Sequence, residues 1–103
     1  MTDYILQLIQ AIRRLHGCKA TYLETVPVVE EFNGETLWQG DVEVFSVNHR
    51  RAKRAYAWAH ADGKNDKGKR FVAVLGIPPV DSPQTAVKVA IASEIKNARK
   101  KQT

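Results

Sequence analysis

Along this chain hydrophobic positions first recur at helical spacing, then alternate in twos, then return to helical spacing. Tyr4, Ile5, Leu8, Ile9, Ile12 and Leu15 fall on one stripe, with Gln7, Gln10, Arg13 and Arg14 opposite, which predicts a helix over residues 3–16. Thr2 or Asp3 can cap its start, and Gly17 stands where a left-handed C-terminal residue belongs. Residues 19–31 are β-branched and uneven, and Pro27 makes this strand an edge strand or a bulged one. Asn33-Gly34 predicts a hairpin turn. The next strand, 36–47, places Trp38, Val42 and Val44 on one face while Gln39, Asp41 and Glu43 alternate outward. Phe45 and Val47 reverse that phase, which predicts a bulge near Ser46.

Asn48 to Lys53 forms a polar, basic connection with room for one helical turn capped by Asn48. The strand over 54–61 then alternates alanine with Arg54, Tyr56, Trp58 and His60 at strict period two. Successive strand side chains face opposite ways, so one face is all alanine and the other is large, aromatic and carries an imidazole. Residues 62–69 form a polar hairpin tip. The strand over 70–77 is apolar on both faces and calls for cover on both. After Pro78-Pro79, Ser82 followed by Pro83 starts a second helix, which presents Ala86, Val87, Ala90, Ile91, Ile95 and Ala98.

These elements predict a single α+β domain, residues 1–103, in the order α-β-β-β-β-α with a four-stranded antiparallel sheet. Both helices are expected on the alanine face. That arrangement leaves Tyr56, Trp58, His60, Val72 and Val74 on a face with nothing in the chain to cover it, and such a face is seldom left to water.

Composition narrows the class further. The 103 residues suit one domain, and the lone Cys18 excludes an internal disulfide. Met1-Thr2-Asp3-Tyr4 lacks the basic start and apolar run of a signal peptide, and no stretch nears the roughly 18 apolar residues of a membrane span. A cytoplasmic protein with no membrane partner is the expectation. The net charge of +5 conceals a strong polarity. Residues 1–47 carry three cations against seven carboxylates, whereas residues 48–70 carry eight against two. Arg50, Arg51, Lys53, Arg54 and Arg70 therefore form a candidate polyanion-binding set.

No phosphate-loop, zinc-ligand, nucleophile-elbow or metalloprotease pattern is present, so no catalytic residue, metal or cofactor is assigned. Cys18 reads as a small buried hydrophobe and His49 as a solvated loop residue. Glu24 shares parity with Tyr22, Val26 and Val28, which in an undistorted strand puts a carboxylate on the apolar side. Tyr56, Trp58 and His60, with Trp38, Glu24, Val72 and Val74 around them, form the candidate ligand-binding or interface set. Aliphatic valines favour an interface over base stacking.

The segments Gly34–Phe45, Ala55-Tyr56-Ala57-Trp58 and Pro78–Pro83 together resemble a group of small, stand-alone bacterial proteins with no assigned activity. The resemblance spans about half the chain and implies a bacterial single-domain protein with no catalytic residues to carry over. The element order is also similar to that of the double-stranded-RNA-binding domain, but the lysines expected at the start of its last helix are absent at Gln84-Thr85-Ala86. The leading expectation is a non-enzymatic binding module that forms a homodimer through its open sheet face. A small-molecule cup on that face and nucleic-acid binding through residues 50–70 are the alternatives.

Overall fold

The computed structural model describes the backbone of residues 2–61 and 69–101 and the side chains of residues 2–59 and 71–93. The elements are α1 (Asp3–His16), β1 (Ala20–Phe32), β2 (Glu35–Val47), β3 (Arg54–Ala61), β4 (Lys69–Leu75) and α2 (Pro83–Lys101). The strands form one antiparallel meander, β1-β2-β3-β4, giving the expected α+β class. The polar loop at 62–68, the side chains of His60 and Arg70, and those of Ile95 and Ala98 lie outside the described residues.

Local chemistry sets the boundaries. The Ile5 amide donates to the Thr2 hydroxyl at 3.3 Å, and Gly17, at φ 68°, closes α1 by donating to the Arg13 carbonyl at 2.8 Å. Asn33 and Gly34 both take positive φ, the geometry of a type I′ hairpin turn. Pro27 sits in β1, an edge strand of the sheet, where its missing N–H breaks no ladder on the outer side. Ser82 accepts from the Thr85 amide at 3.2 Å to start α2. The helical turn expected at Asn48 does not form. Its side chain instead accepts from the Lys19 amide at 2.9 Å and ties the β2–β3 connection to the residue just before β1.

The main correction concerns the helices, which lie on opposite faces of the sheet. α1 packs Ile5, Leu8 and Ile12 on the alanine face with Phe45, Val47, Ala55 and Ala57. α2 packs Ala86 and Val87 on the other face with Val28, Val42, Val44, Tyr56 and Trp58, and Val72 and Val74 join that cluster. Four strands at about 4.8 Å spacing span only about 15 Å, while a helix with its side chains is about 10 Å across. One helix therefore fills the alanine face, and the second covers the apolar face that would otherwise meet water.

The same two-sided cover explains β2. Phe45 and Val47 face α1, whereas Val42 and Val44 face α2, so the strand is regular through Ser46 and the predicted bulge is absent there. The register shifts fall elsewhere, at Leu23 in β1 and at Leu37 in β2.

Candidate functional site

β2 pairs with β1 over nearly its whole length but with β3 only from Glu43–Ala57 to Ser46–Arg54. Beyond Glu43 and Ala57 the two hairpins diverge, and β3 continues with β4 alone. The fork is closed differently on its two faces. On the α2 side Trp38 and Trp58 meet across it, ring centroids 5.7 Å apart and tilted by 60°. Gly40 permits this, because a Cβ there would stand 3.0 Å from the Trp38 ring. On the α1 side the Ala59 amide, left without a β2 partner, donates to the Tyr4 hydroxyl at 3.0 Å.

Between these closures lies a cleft of about 800 Å³, within the range of small-molecule sites. Tyr4, Tyr22 and Trp38 supply aromatic surface, and Thr25, Gln39, Asp41 and Glu43 supply polar groups. Glu43 is only 4% exposed, the one charged side chain in the described core. Thr25, its cross-strand neighbour, donates its hydroxyl hydrogen to Glu43 Oε1. With that hydrogen committed, the Tyr22 hydroxyl donates to Thr25 Oγ1 at 2.6 Å, giving a directed chain Tyr22→Thr25→Glu43. Among the described residues lining the cleft there are two carboxylates and no basic side chain. Burial raises the Tyr4 phenol above its ordinary value, with Glu43 and Asp41 adding to the rise and the Ala59 hydrogen bond opposing it. Tyr4 is therefore a neutral phenol at physiological pH.

The bulge at Leu23 makes this arrangement. Without it Tyr22 and Thr25 would face opposite ways, but one extra residue puts both on the α1 face beside Glu43. Glu24 keeps the face of Val26 and Val28, opposite Val44, and is exposed there at the sheet edge. The carboxylate singled out in the sequence is solvated, and the buried one is Glu43, which the alternation had assigned to solvent.

The other sequence candidates separate into two groups. Tyr56 and Trp58, 5% and 3% exposed, are core beneath α2 with Val72 and Val74 at its margin, so the open face expected for a homodimer or a cup does not exist. Among the described side chains of that set, only Trp38 reaches the fork cleft. Arg50, Arg51, Lys53 and Arg54 are exposed and share a second hollow at the other end of β3. Cys18 is buried, and burial pushes its thiol up, as suits a small hydrophobe. His16 donates from Nε2 to the Ala73 carbonyl at 2.8 Å and ties α1 to β4.

A run such as Val42-Glu43-Val44-Phe45 held the missed signal, a carboxylate flanked on both sides by residues that must be buried. Among the described residues no helix is long and apolar enough to cross a membrane, and no group of three or more His, Cys, Asp or Glu is placed to hold a metal ion. No family model, no curated protein and no solved structure matches this chain.

Proposed function

We propose that this protein is a non-enzymatic binding module whose fork cleft takes a small organic cation, a primary or secondary amine carrying a flat apolar portion. The buried Glu43 carboxylate carries this reading. A buried charge is costly unless it is paired, and among the described residues the side chains lining the cleft offer Glu43 a hydroxyl but no cation. An ammonium group entering the cleft would supply the missing partner, with Asp41 adding to the negative field at the mouth. Tyr4, Tyr22 and Trp38 would hold the apolar part and offer their ring faces to the charge. The Tyr22→Thr25→Glu43 chain holds the carboxylate in one orientation before any ligand arrives, which lowers the ordering cost of binding.

The test is calorimetric titration with phenethylamine and with its neutral isostere, phenethyl alcohol, alongside amide chemical-shift mapping. A charge-assisted hydrogen bond contributes about 1.5–3 kcal/mol, so the amine should bind about 10- to 150-fold tighter than the alcohol. Glu43→Gln keeps the shape and the bond from Thr25 and should abolish that preference. Shifts should centre on Thr25, Glu43 and Ala59. Equal affinity for amine and alcohol, or an amine preference that survives in Glu43→Gln, would sink the proposal.

A further inference from the structure

The second hollow has the opposite chemistry and depends on none of the groups in the fork cleft. It encloses about 500 Å³ between the β2–β3 connection and the segment following β4. Among the described residues, four cations, Arg50, Arg51, Lys53 and Arg54, line it together with His49, against one carboxylate, Asp81. Asp81 stands at the start of α2, where its amide donates to the Thr85 hydroxyl oxygen at 3.1 Å.

The connection is held in one shape. The Val47 amide donates to the Lys53 carbonyl at 3.1 Å and closes it into a ring. Asn48 is bonded to Lys19 in both directions, by its amide at 3.3 Å and its side-chain oxygen at 2.9 Å. Ala52, 5% exposed, is the anchor: its methyl turns into the α1-side core, and Arg50, Arg51 and Lys53 around it stay in solvent. The Arg51 amide donates to His49 Nδ1 at 3.0 Å, which leaves the neutral imidazole's hydrogen on Nε2. On the far wall the Gly76 amide donates to the Arg54 carbonyl at 2.7 Å, and a Cβ at Gly76 would stand 3.1 Å from that oxygen.

We propose that this hollow is a phosphate-binding site, with Arg50, Arg51, Lys53 and Arg54 as its ligand-facing cations. Like charges gathered in a fixed loop repel one another, and here, among the described residues, a single carboxylate offsets four of them. A dianionic or polyanionic group relieves that repulsion, and arginine's planar fork matches phosphate oxygens two at a time. Tyr56 at the floor stays protonated, its phenol raised by burial and by Asp81 against the lowering effect of Arg54, and so remains a hydrogen-bond donor. The phosphate has two sources, a small phosphate ester or the backbone of a nucleic-acid strand.

Two probes distinguish these sources. Fluorescence anisotropy with a labelled oligothymidylate at about 50 mM salt reports the strand, and competition by inorganic pyrophosphate together with its amide-shift footprint reports the small ligand. The test variant is Arg50→Gln/Arg51→Gln/Lys53→Gln. Arg13→Gln/Arg14→Gln/Lys88→Gln, three exposed positions on α1 and α2, is the control for the same loss of three charges. Strand binding that falls at least tenfold in the loop variant and less than twofold in the control supports a backbone-phosphate site, with a shallower salt dependence in the loop variant. Pyrophosphate binding mapped to residues 49–54 without strand binding supports the same site with a small ester as its ligand. No binding of either probe at low salt, or equal losses in loop variant and control, would overturn the proposal.

Discussion

Replacing Trp58 by alanine probes the two-sided sheet where most apolar surface is at stake. Trp58 is 3% exposed, lies in the cluster beneath α2 and meets Trp38 at 5.7 Å. Truncating a buried tryptophan to alanine costs about 3–5 kcal/mol, of which an aromatic pair of this geometry accounts for about 0.5–1.5 kcal/mol. Domains of this size are stable by about 5–15 kcal/mol, so the loss is at least about a fifth of the total. With a urea dependence of about 2 kcal/mol per molar, the midpoint should fall by about 1.5–2.5 M. Far-UV circular dichroism in urea reads this directly, with Leu15→Ala, at a site 53% exposed on α1, as the reference for surface truncation. If Trp58→Ala leaves too little folded protein to measure, Val87→Ala probes the facing position of α2 at a cost of about 1.5–3 kcal/mol. A tryptophan on an open face would change stability by about 0.5 kcal/mol at most. A loss below about 1 kcal/mol for both variants would refute the placement of α2.

Three further outcomes follow. Gly34→Ala should cost about 1–2 kcal/mol in urea unfolding, a pure backbone effect because φ is 79° and no atom lies within 4 Å of the added methyl. Thr25→Val removes the donor to the buried Glu43 and should cost about 1–3 kcal/mol, while Thr25→Ser should recover most of it. Stability should decline as pH rises past about 10, because the unfolded chain gives up its phenol protons before the folded chain, whose Tyr4 and Tyr56 are raised by burial. That stability is fully present below the unfolded value and lost through the folded one, so Tyr4→Phe should flatten the urea midpoint's fall between about pH 9 and 11. An unchanged slope would contradict the raised Tyr4.

Period and punctuation carried most of the fold. The bounds of α1, the Asn33-Gly34 turn, the edge position of Pro27 and the start of α2 follow from interactions within a few residues, and the chain displays these without knowledge of its tertiary contacts. Side assignment needed a comparison of widths. The alanine face of β3 correctly indicated close helix packing, and Ala57 lies fully buried there. Yet the doubly apolar character of β4 already demanded cover on both faces. Counting one helix per narrow face would have placed α2 over Trp58. The Phe45 phase change points the same way, since a strand covered on both sides shows an apolar run rather than a bulge.

The site was harder to read because one residue controls it. In a strand of fixed parity, Glu24 is the carboxylate facing the core and Tyr22 its companion. The extra residue at Leu23 sends Tyr22 to the face of Thr25 and Glu43, while Glu24 stays on the face of Val26 and Val28 and is solvated at the sheet edge. A bulge of this kind has no strong sequence marker, and its effect on every residue before it is total, because the side-chain period is two. The basic loop shows the converse. Arg50 to Arg54 lie next to one another in the chain, so their convergence survives any error of register, and only the inward turn of Ala52 had to come from tertiary packing. Sites assembled within one short loop are legible from sequence. Those assembled across strands become legible once the bulges are known, and in this chain a single bulge brings Tyr22 to the face of Thr25 and Glu43.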